Sequence, residues 1–311
     1  MASATLLLPE PAKLAGRPLP RDVAAALGRA ERSLAGAGAR AQLARHFELR
    51  PAGAWPVAAL TRQFDAGDAG DALWLRADPA HVAPDLHGAR LLAHGAALGV
   101  GQDDVDALLP ALKPLFGDAG LVLEALAPAR WYLRLPAGAP PPRLDDADDA
   151  LGDDLYEHLP EGEAGRRWRA LLTEAQVLLH QHPWNRVRAA GGRPAINSLW
   201  FWGAGRLPDA VRSPHRQARS PDALLSALAL AAGIAGPVEP AAAAGLDTLI
   251  DLRHLRSPDT FVADALQPLL AALGSGELER LALDFEDGSL FELRRGQRWR
   301  FWRRPLQGLV G

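Results

Sequence analysis

Residues 180–206 run His-Gln-His-Pro-Trp-Asn-Arg-Val-Arg-Ala-Ala-Gly-Gly-Arg-Pro-Ala-Ile-Asn-Ser-Leu-Trp-Phe-Trp-Gly-Ala-Gly-Arg. The segment just before it, Ala164 to His182, carries Trp168, Leu171, Leu172, Ala175, Leu178 and Leu179 at helical spacing, which predicts an amphipathic helix. The segment at its end alternates instead. Leu199 and Phe201 fall on one side of a strand, Trp200 and Trp202 on the other. A helix, a polar turn and an aromatic strand thus follow one another in this stretch. Asn185, Arg186, Arg188, Arg193, Asn197 and Arg206 crowd around that strand, and such groups can hold an anion or an amide. Gly203 and Gly205 allow a ligand or another segment to approach the backbone closely. Two readings stand side by side: a strand whose tryptophans fill a core, or a site for a small anionic ligand.

Outward from this stretch, helical spacing continues over Val23, Ala26, Leu27, Ala30 and Leu34, and again over Ala39 to Phe47. Ala72 to Arg76 reads as a strand with Ala89 to Ala93 as its hairpin partner. A helix led by Asp103 and Asp104 follows, then strands at Leu121–Leu126 and Arg130–Leu135. The acidic run at 145–149 reads as a solvated loop. Helices are expected near 221–233 and 258–273, with a strand at Leu246–Leu252 between them. A terminal meander is expected over Leu278–Phe285, Ser289–Arg294 and Arg298–Arg303.

The 311 residues suffice for one large or two ordinary domains, and 48% hydrophobic with 23% charged residues is globular composition. A formal charge of −3 excludes a globally basic nucleic-acid binder. Zero Cys excludes disulfides, thiolate zinc, iron–sulfur clusters and a thiol nucleophile. Neither a signal peptide nor a membrane span is expected, so a cytoplasmic location is the default. There is no Gly-x-Ser-x-Gly elbow, P-loop or dinucleotide fingerprint. His81, His87 and His94 lie near Asp78 and Asp85 without fixed ligand geometry, and His180 and His182 splay apart on a helix. Six Arg between 294 and 304 interleave with Trp299, Phe301 and Trp302. This is read as an edge strand with Arg over its solvent face, with phosphate and base contact as the alternative.

The 180–206 stretch resembles a segment of the cofactor-independent, archaeal-type phosphoglycerate mutases of the alkaline-phosphatase-like superfamily. The shared positions are His182, Pro183, Asn185, Arg188, Gly191, Pro194, Ala195, Asn197, Ser198, Trp200, Trp202, Gly203 and Gly205. The whole chain also looks like the bacterial RpfE-type regulatory proteins, through Trp74–Pro79, Trp131–Arg134, Asn197–Gly203 and Arg300–Arg304. The first resemblance implies a phosphorylated Ser and two metal ions held by both chain ends. Yet His46 is the only histidine in the first seventy residues, and Asp251-Leu-Arg-His254 is a weak counterpart of the expected C-terminal metal motif.

The expected fold is therefore α/β, a shortened alkaline-phosphatase-like core with an inserted α+β unit. Residues 1–71 and 205–311 would form the core, 72–136 the insert, and 137–204 the linker, helix and junction strand. The expected function is non-catalytic regulation or interaction, derived from a mutase-like ancestor, with no cofactor and no metal. The expected partner is a protein or a small phosphorylated or anionic ligand, and nucleic acid is not expected. The candidate ligand-binding residues are Arg76, His182, Asn185, Arg188, Asn197, Trp200, Trp202, Gly203, Gly205 and Arg206. The alternatives are a metal-dependent mutase or phosphatase, and nucleic-acid binding through the Arg-rich end.

Overall fold

The computed structural model describes residues 2–85, 88–140, 142, 144–236 and 247–309. It is an α/β protein of two compact units, Met1–Ala52 with Ala210–Gly311 (unit 1) and Gly53–Asp209 (unit 2).

In unit 1 the Ser3–Leu8 strand lies in parallel between Asp247–Asp251 and Arg280–Phe285, with Gln217–Arg219 parallel beyond the former. Ser289–Arg294 and Glu31–Leu34 extend the other side antiparallel, making six strands. A central parallel strand is covered on both faces, which is why Leu6, Leu7 and Leu8 form an unbroken apolar run. Leu6, Leu8, Leu281, Leu283 and Phe285 pack against Val23 and Leu27 of the Arg21–Arg29 helix and against Phe261, Leu266 and Leu273. Each such fully buried side chain contributes about 1.5–3 kcal/mol. The opposite face carries Thr5, Leu7, Asp247, Asp251 and Asp284, because register places these residues in common rows.

Unit 2 is built on the long Trp74–Asp85 strand, which pairs antiparallel with Gly88–His94, Arg130–Arg134 and Ser198–Gly205; Val122–Ala127 joins through Arg130–Arg134. The Gln102–Asp118 and Gly162–Gln181 helices cover one face. Leu108, Leu112, Phe116, Trp168 and Leu172 there meet Leu75, Leu133, Leu199 and Phe201. Trp200 and Trp202 point the other way, into a smaller cluster with Ala80 and Leu91.

Three expectations change. The boundaries fall at 52/53 and 209/210 rather than 71/72 and 204/205, because Ala58 and Ala59 of the Val57–Ala66 helix pack with Trp74 and Tyr132. Residues 137–204 likewise belong to that same unit. The backbone of Ala30 is extended (φ −60°, ψ 152°), so the first helix stops at Arg29 and Leu34 sits in a strand. Arg298–Arg303 is not a third meander strand. Gln297 Oε1 accepts the Arg294 N–H at 3.2 Å and turns the chain into a short 3₁₀ helix, Arg295–Trp299. Glu31–Leu34 fills the place beside Ser289–Arg294 instead. Residue 246 of the expected 246–252 strand lies outside the described residues; the strand runs Asp247–Asp251.

Candidate functional site

Three of the 182–206 side chains, Trp184, Arg188 and Arg193, converge on Asp104 within unit 2. Asp104, at the third position of the Gln102–Asp118 helix, accepts the Gly101 N–H at 2.9 Å, Trp184 Nε1–H at 2.7 Å and an Arg188 N–H at 2.6 Å. Arg193 adds a longer contact at 3.3 Å. Burial pushes the Asp104 carboxyl up, but those hydrogen bonds outweigh it and hold the group below the usual carboxylate range. Arg188 is fully buried, and its other two donors reach the carbonyls of Pro194 (2.8 Å) and Leu98 (2.7 Å). Asn185 clasps Ile196 from both sides, accepting its N–H (2.8 Å) and donating to its carbonyl (2.9 Å), and it also donates to Leu179 O. Asn197 does the same with Val82, at 2.9 Å and 2.7 Å. The side-chain amides thus stand in for missing backbone partners at the ends of helix and strand.

A second knot lies on the other face. Arg76 grips Asp78 through two bonds of 2.8 Å, and Trp202 Nε1 donates to the same carboxylate at 2.8 Å. The guanidinium carbon stands 5.3 Å from the Trp202 ring and 5.4 Å from the Tyr132 ring, a cation–π arrangement. Burial pushes the Tyr132 hydroxyl up to about 12. Trp200 Nε1 donates to Asp145 O at 3.2 Å. His182 caps the Gly162–Gln181 helix, its Nδ1 accepting the Trp184 N–H, and exposed Arg206 donates to Asp71 O. Gly203 (φ +65°) and Gly205 are needed for packing: a Cβ there would lie 2.8 Å from Val57 Cβ and 2.4 Å from Pro56 Cβ respectively. The close approach anticipated at both glycines is thus made to the chain itself. Of the other histidines, His81 Nδ1 lies 2.9 Å from Ala195 O and His94 meets Asp148 at 3.1 Å, while His87 lies outside the described residues.

Unit 1 holds a polar arrangement that the sequence did not suggest. Asp284, His46, His215 and Asp247 form a line on the sheet face opposite the apolar core, beside a cavity of about 410 Å³. The gaps are 2.9 Å (Asp284 Oδ2 to His46 Nε2), 3.0 Å (His46 Nδ1 to His215 Nε2) and 3.2 Å (His215 Nδ1 to Asp247 Oδ1). Arg45 closes the far end on Asp284 at 2.9 and 2.5 Å, and Ser3 Oγ closes the near end on Asp247 at 2.6 Å. Three gaps need three protons, whereas two neutral imidazoles supply two. A third proton satisfies every contact. A fourth would set two N–H groups head to head, and burial together with the neighbouring His46 charge holds the His215 ring below the usual imidazole range despite Asp247. His46 and His215 are 169 positions apart, so no local spacing could have announced the pair.

The carboxyl ends of parallel strands are where open α/β sheets place ligands. Here Asp251 and Asp284 stand near those ends, flanking Leu7. Arg253 binds Asp251 through two contacts of 2.8 Å, Ser220 Oγ adds another at 2.6 Å, and Arg45 and His46 close Asp284. In both carboxyls burial acts upward, but these partners prevail and keep the pKa below the usual range. His254 is exposed. Among the described residues no three His, Asp or Glu side chains converge in a way that could hold a metal ion. The described donor set therefore does not fit the two-metal centre that the mutase resemblance implies.

No protein-family model matches the chain. A Geobacter sulfurreducens protein named as a probable 2,3-bisphosphoglycerate-independent phosphoglycerate mutase is 36% identical over 101 residues, 32% of this chain and 24% of that protein. A Methanothrix thermoacetophila 2,3-bisphosphoglycerate-independent phosphoglycerate mutase is 30% identical over 139 residues, 45% of this chain and 34% of that protein. Part of the chain is thus homologous to these mutases, and the match spans about a quarter to a third of their length. The solved cofactor-independent phosphoglycerate mutase of Thermoplasma acidophilum superposes with a TM-score of 0.41 at 16% identity, over 95% of this chain and 90% of that one. No helix among the described residues is long and apolar enough to cross a membrane.

Proposed function

We propose that this chain is a cytoplasmic regulatory or interaction protein, of the kind the RpfE-type proteins represent, and that it works without phosphoryl transfer. On this reading it descends from a phosphoglycerate-mutase-like ancestor and keeps a reduced alkaline-phosphatase-like core as a scaffold for a small anionic ligand or a protein partner. One observation carries the reading. The two carboxylates at the carboxyl ends of the parallel strands, Asp251 and Asp284, are each neutralised by an arginine of the same unit. A carboxylate that already accepts a two-pronged guanidinium has little left to offer a divalent ion, and separating the two would strand buried charges. The motif residues shared with the mutases support the same view, because Arg188, Asn185 and Asn197 spend their donors on backbone carbonyls and Asp104.

Phosphorus NMR of 3-phosphoglycerate incubated with the purified chain, with and without manganese, cobalt or zinc, tests this. The expected spectrum is unchanged substrate under every condition. Formation of 2-phosphoglycerate or free phosphate, abolished by a chelator, would overturn it in favour of a metal-dependent mutase or phosphatase.

A further inference from the structure

We propose that unit 1 carries a binding pocket for a small phosphorylated molecule with an apolar body, between the Arg21–Arg29 helix, the Gln267–Ser275 helix and residues 293–298. This deepens the proposed function and rests on its ligand-binding half, since it names the place and chemistry of the ligand. The cavity holds about 350 Å³, within the range of small-molecule sites. Its walls are apolar, from Ala26, Leu270, Leu273 and Leu293. Its polar lining is dominated by four arginines, Arg29, Arg294, Arg295 and Arg298.

Two features set this cluster apart from an ordinary charged surface. Arg294 is paired with Glu292 at 2.7 Å, but Arg29, Arg295 and Arg298 have no carboxylate partner among the described residues. That surplus of positive charge stands in a chain whose formal charge is −3. Moreover, the Arg29 guanidinium lines the cavity with its Nε unpartnered, so protein acceptors leave the group partly unsatisfied. The one acidic residue in the lining, Asp22, already accepts the Gln267 amide at 3.2 Å. Aromatic rings steady two of the guanidinium groups: Arg29 lies 5.6 Å from the Phe301 ring and Arg298 4.9 Å from the Trp299 ring. Planar guanidinium forks match phosphate oxygens, and the apolar walls demand a body that phosphate alone lacks.

The test titrates phenyl phosphate into the full chain and follows heat and tryptophan fluorescence, with Trp299 as a neighbouring reporter. Inorganic phosphate and benzyl alcohol serve as the two half-probes. Saturable phenyl phosphate binding is expected, at least tenfold tighter than either half-probe. It should weaken at least tenfold in the Arg29→Ala/Arg295→Ala chain and in the exposed charge reversal Arg298→Glu, and stay unchanged in Arg166→Ala of unit 2. Absence of saturable binding overturns the proposal. Binding that survives the arginine substitutions also overturns it, while leaving a ligand elsewhere and the proposed function standing. Binding of an oligothymidylate without binding of phenyl phosphate would assign the arginines to a polymeric anion and overturn it too.

Discussion

Replacing Arg188 by Ala would cut the centre out of unit 2. The side chain is fully buried, and three separate acceptors depend on it: Asp104 Oδ2 at 2.6 Å, Leu98 O at 2.7 Å and Pro194 O at 2.8 Å. Removing one partner of a buried ion pair costs about 3–5 kcal/mol, because the remaining charge is stranded. Asp104 would keep Trp184 and the Gly101 N–H, which argues for the lower half of that range. The two orphaned carbonyls push the other way, at about 1–3 kcal/mol for each group left without a partner. We expect a loss of about 4 kcal/mol. For a unit of this size each kcal/mol moves the midpoint by roughly 2–4 °C, so its Tm should fall by about 8–16 °C in calorimetry. A double-mutant cycle with Asp104→Asn should show strong coupling, the double variant losing less than the sum of the singles. A loss below about 1 kcal/mol, with no coupling, would refute the reasoning and return Arg188 to the pool of ligand-binding candidates.

Asn197→Ala removes both bonds to Val82 and should cost about 2 kcal/mol in urea unfolding; a cost near zero would mean that water replaces the amide. Gly205→Ala forces a Cβ to within 2.4 Å of Pro56 and should cost about 1–3 kcal/mol by overpacking, a result that a neutral melting curve would contradict. Stability should also fall with acid in two stages. The folded-state pKa of His215 is lowered, so the unfolded chain binds the extra proton, and stability drops as pH falls below about 6.5. Asp251 and Asp284 are lowered as well, so a second loss begins as pH falls below about 4; unfolding titrations giving a flat profile from pH 7 to 3 would contradict both.

Much of the scaffold was legible because its signals are local. The alternation over Leu199–Trp202 correctly separates Trp200 from Phe201, and the helical spacing after Gly162 marks the face that meets the sheet. The Arg-rich end misled because Arg298, Trp299, Arg300 and Phe301 alternate as a strand does. What decides there is a contact from Gln297 and an edge already taken by Glu31–Leu34, a distant partner that no window on the sequence contains. The same limit hid the polar line through His46 and His215 and the pocket formed by Arg29 and Arg295. In 180–206 residue types could not distinguish a binding constellation from a bracing one. Buried Arg and Asn serve either purpose, and only the carbonyls they meet reveal which.

The position of Ser3–Leu8 imposes an order of events on biosynthesis. Its parallel neighbours, Asp247–Asp251 and Arg280–Phe285, lie more than two hundred positions downstream. At about 5–20 residues per second, the ribosome needs on the order of ten seconds to a minute to deliver them. Throughout that interval an apolar strand waits with both edges unpaired, while Gly53–Asp209 emerges as one continuous stretch able to complete its own core. Nascent unit 1 is therefore the part of this protein that a holdase chaperone has reason to meet, and a ribosome stalled before residue 247 should display that strand to it.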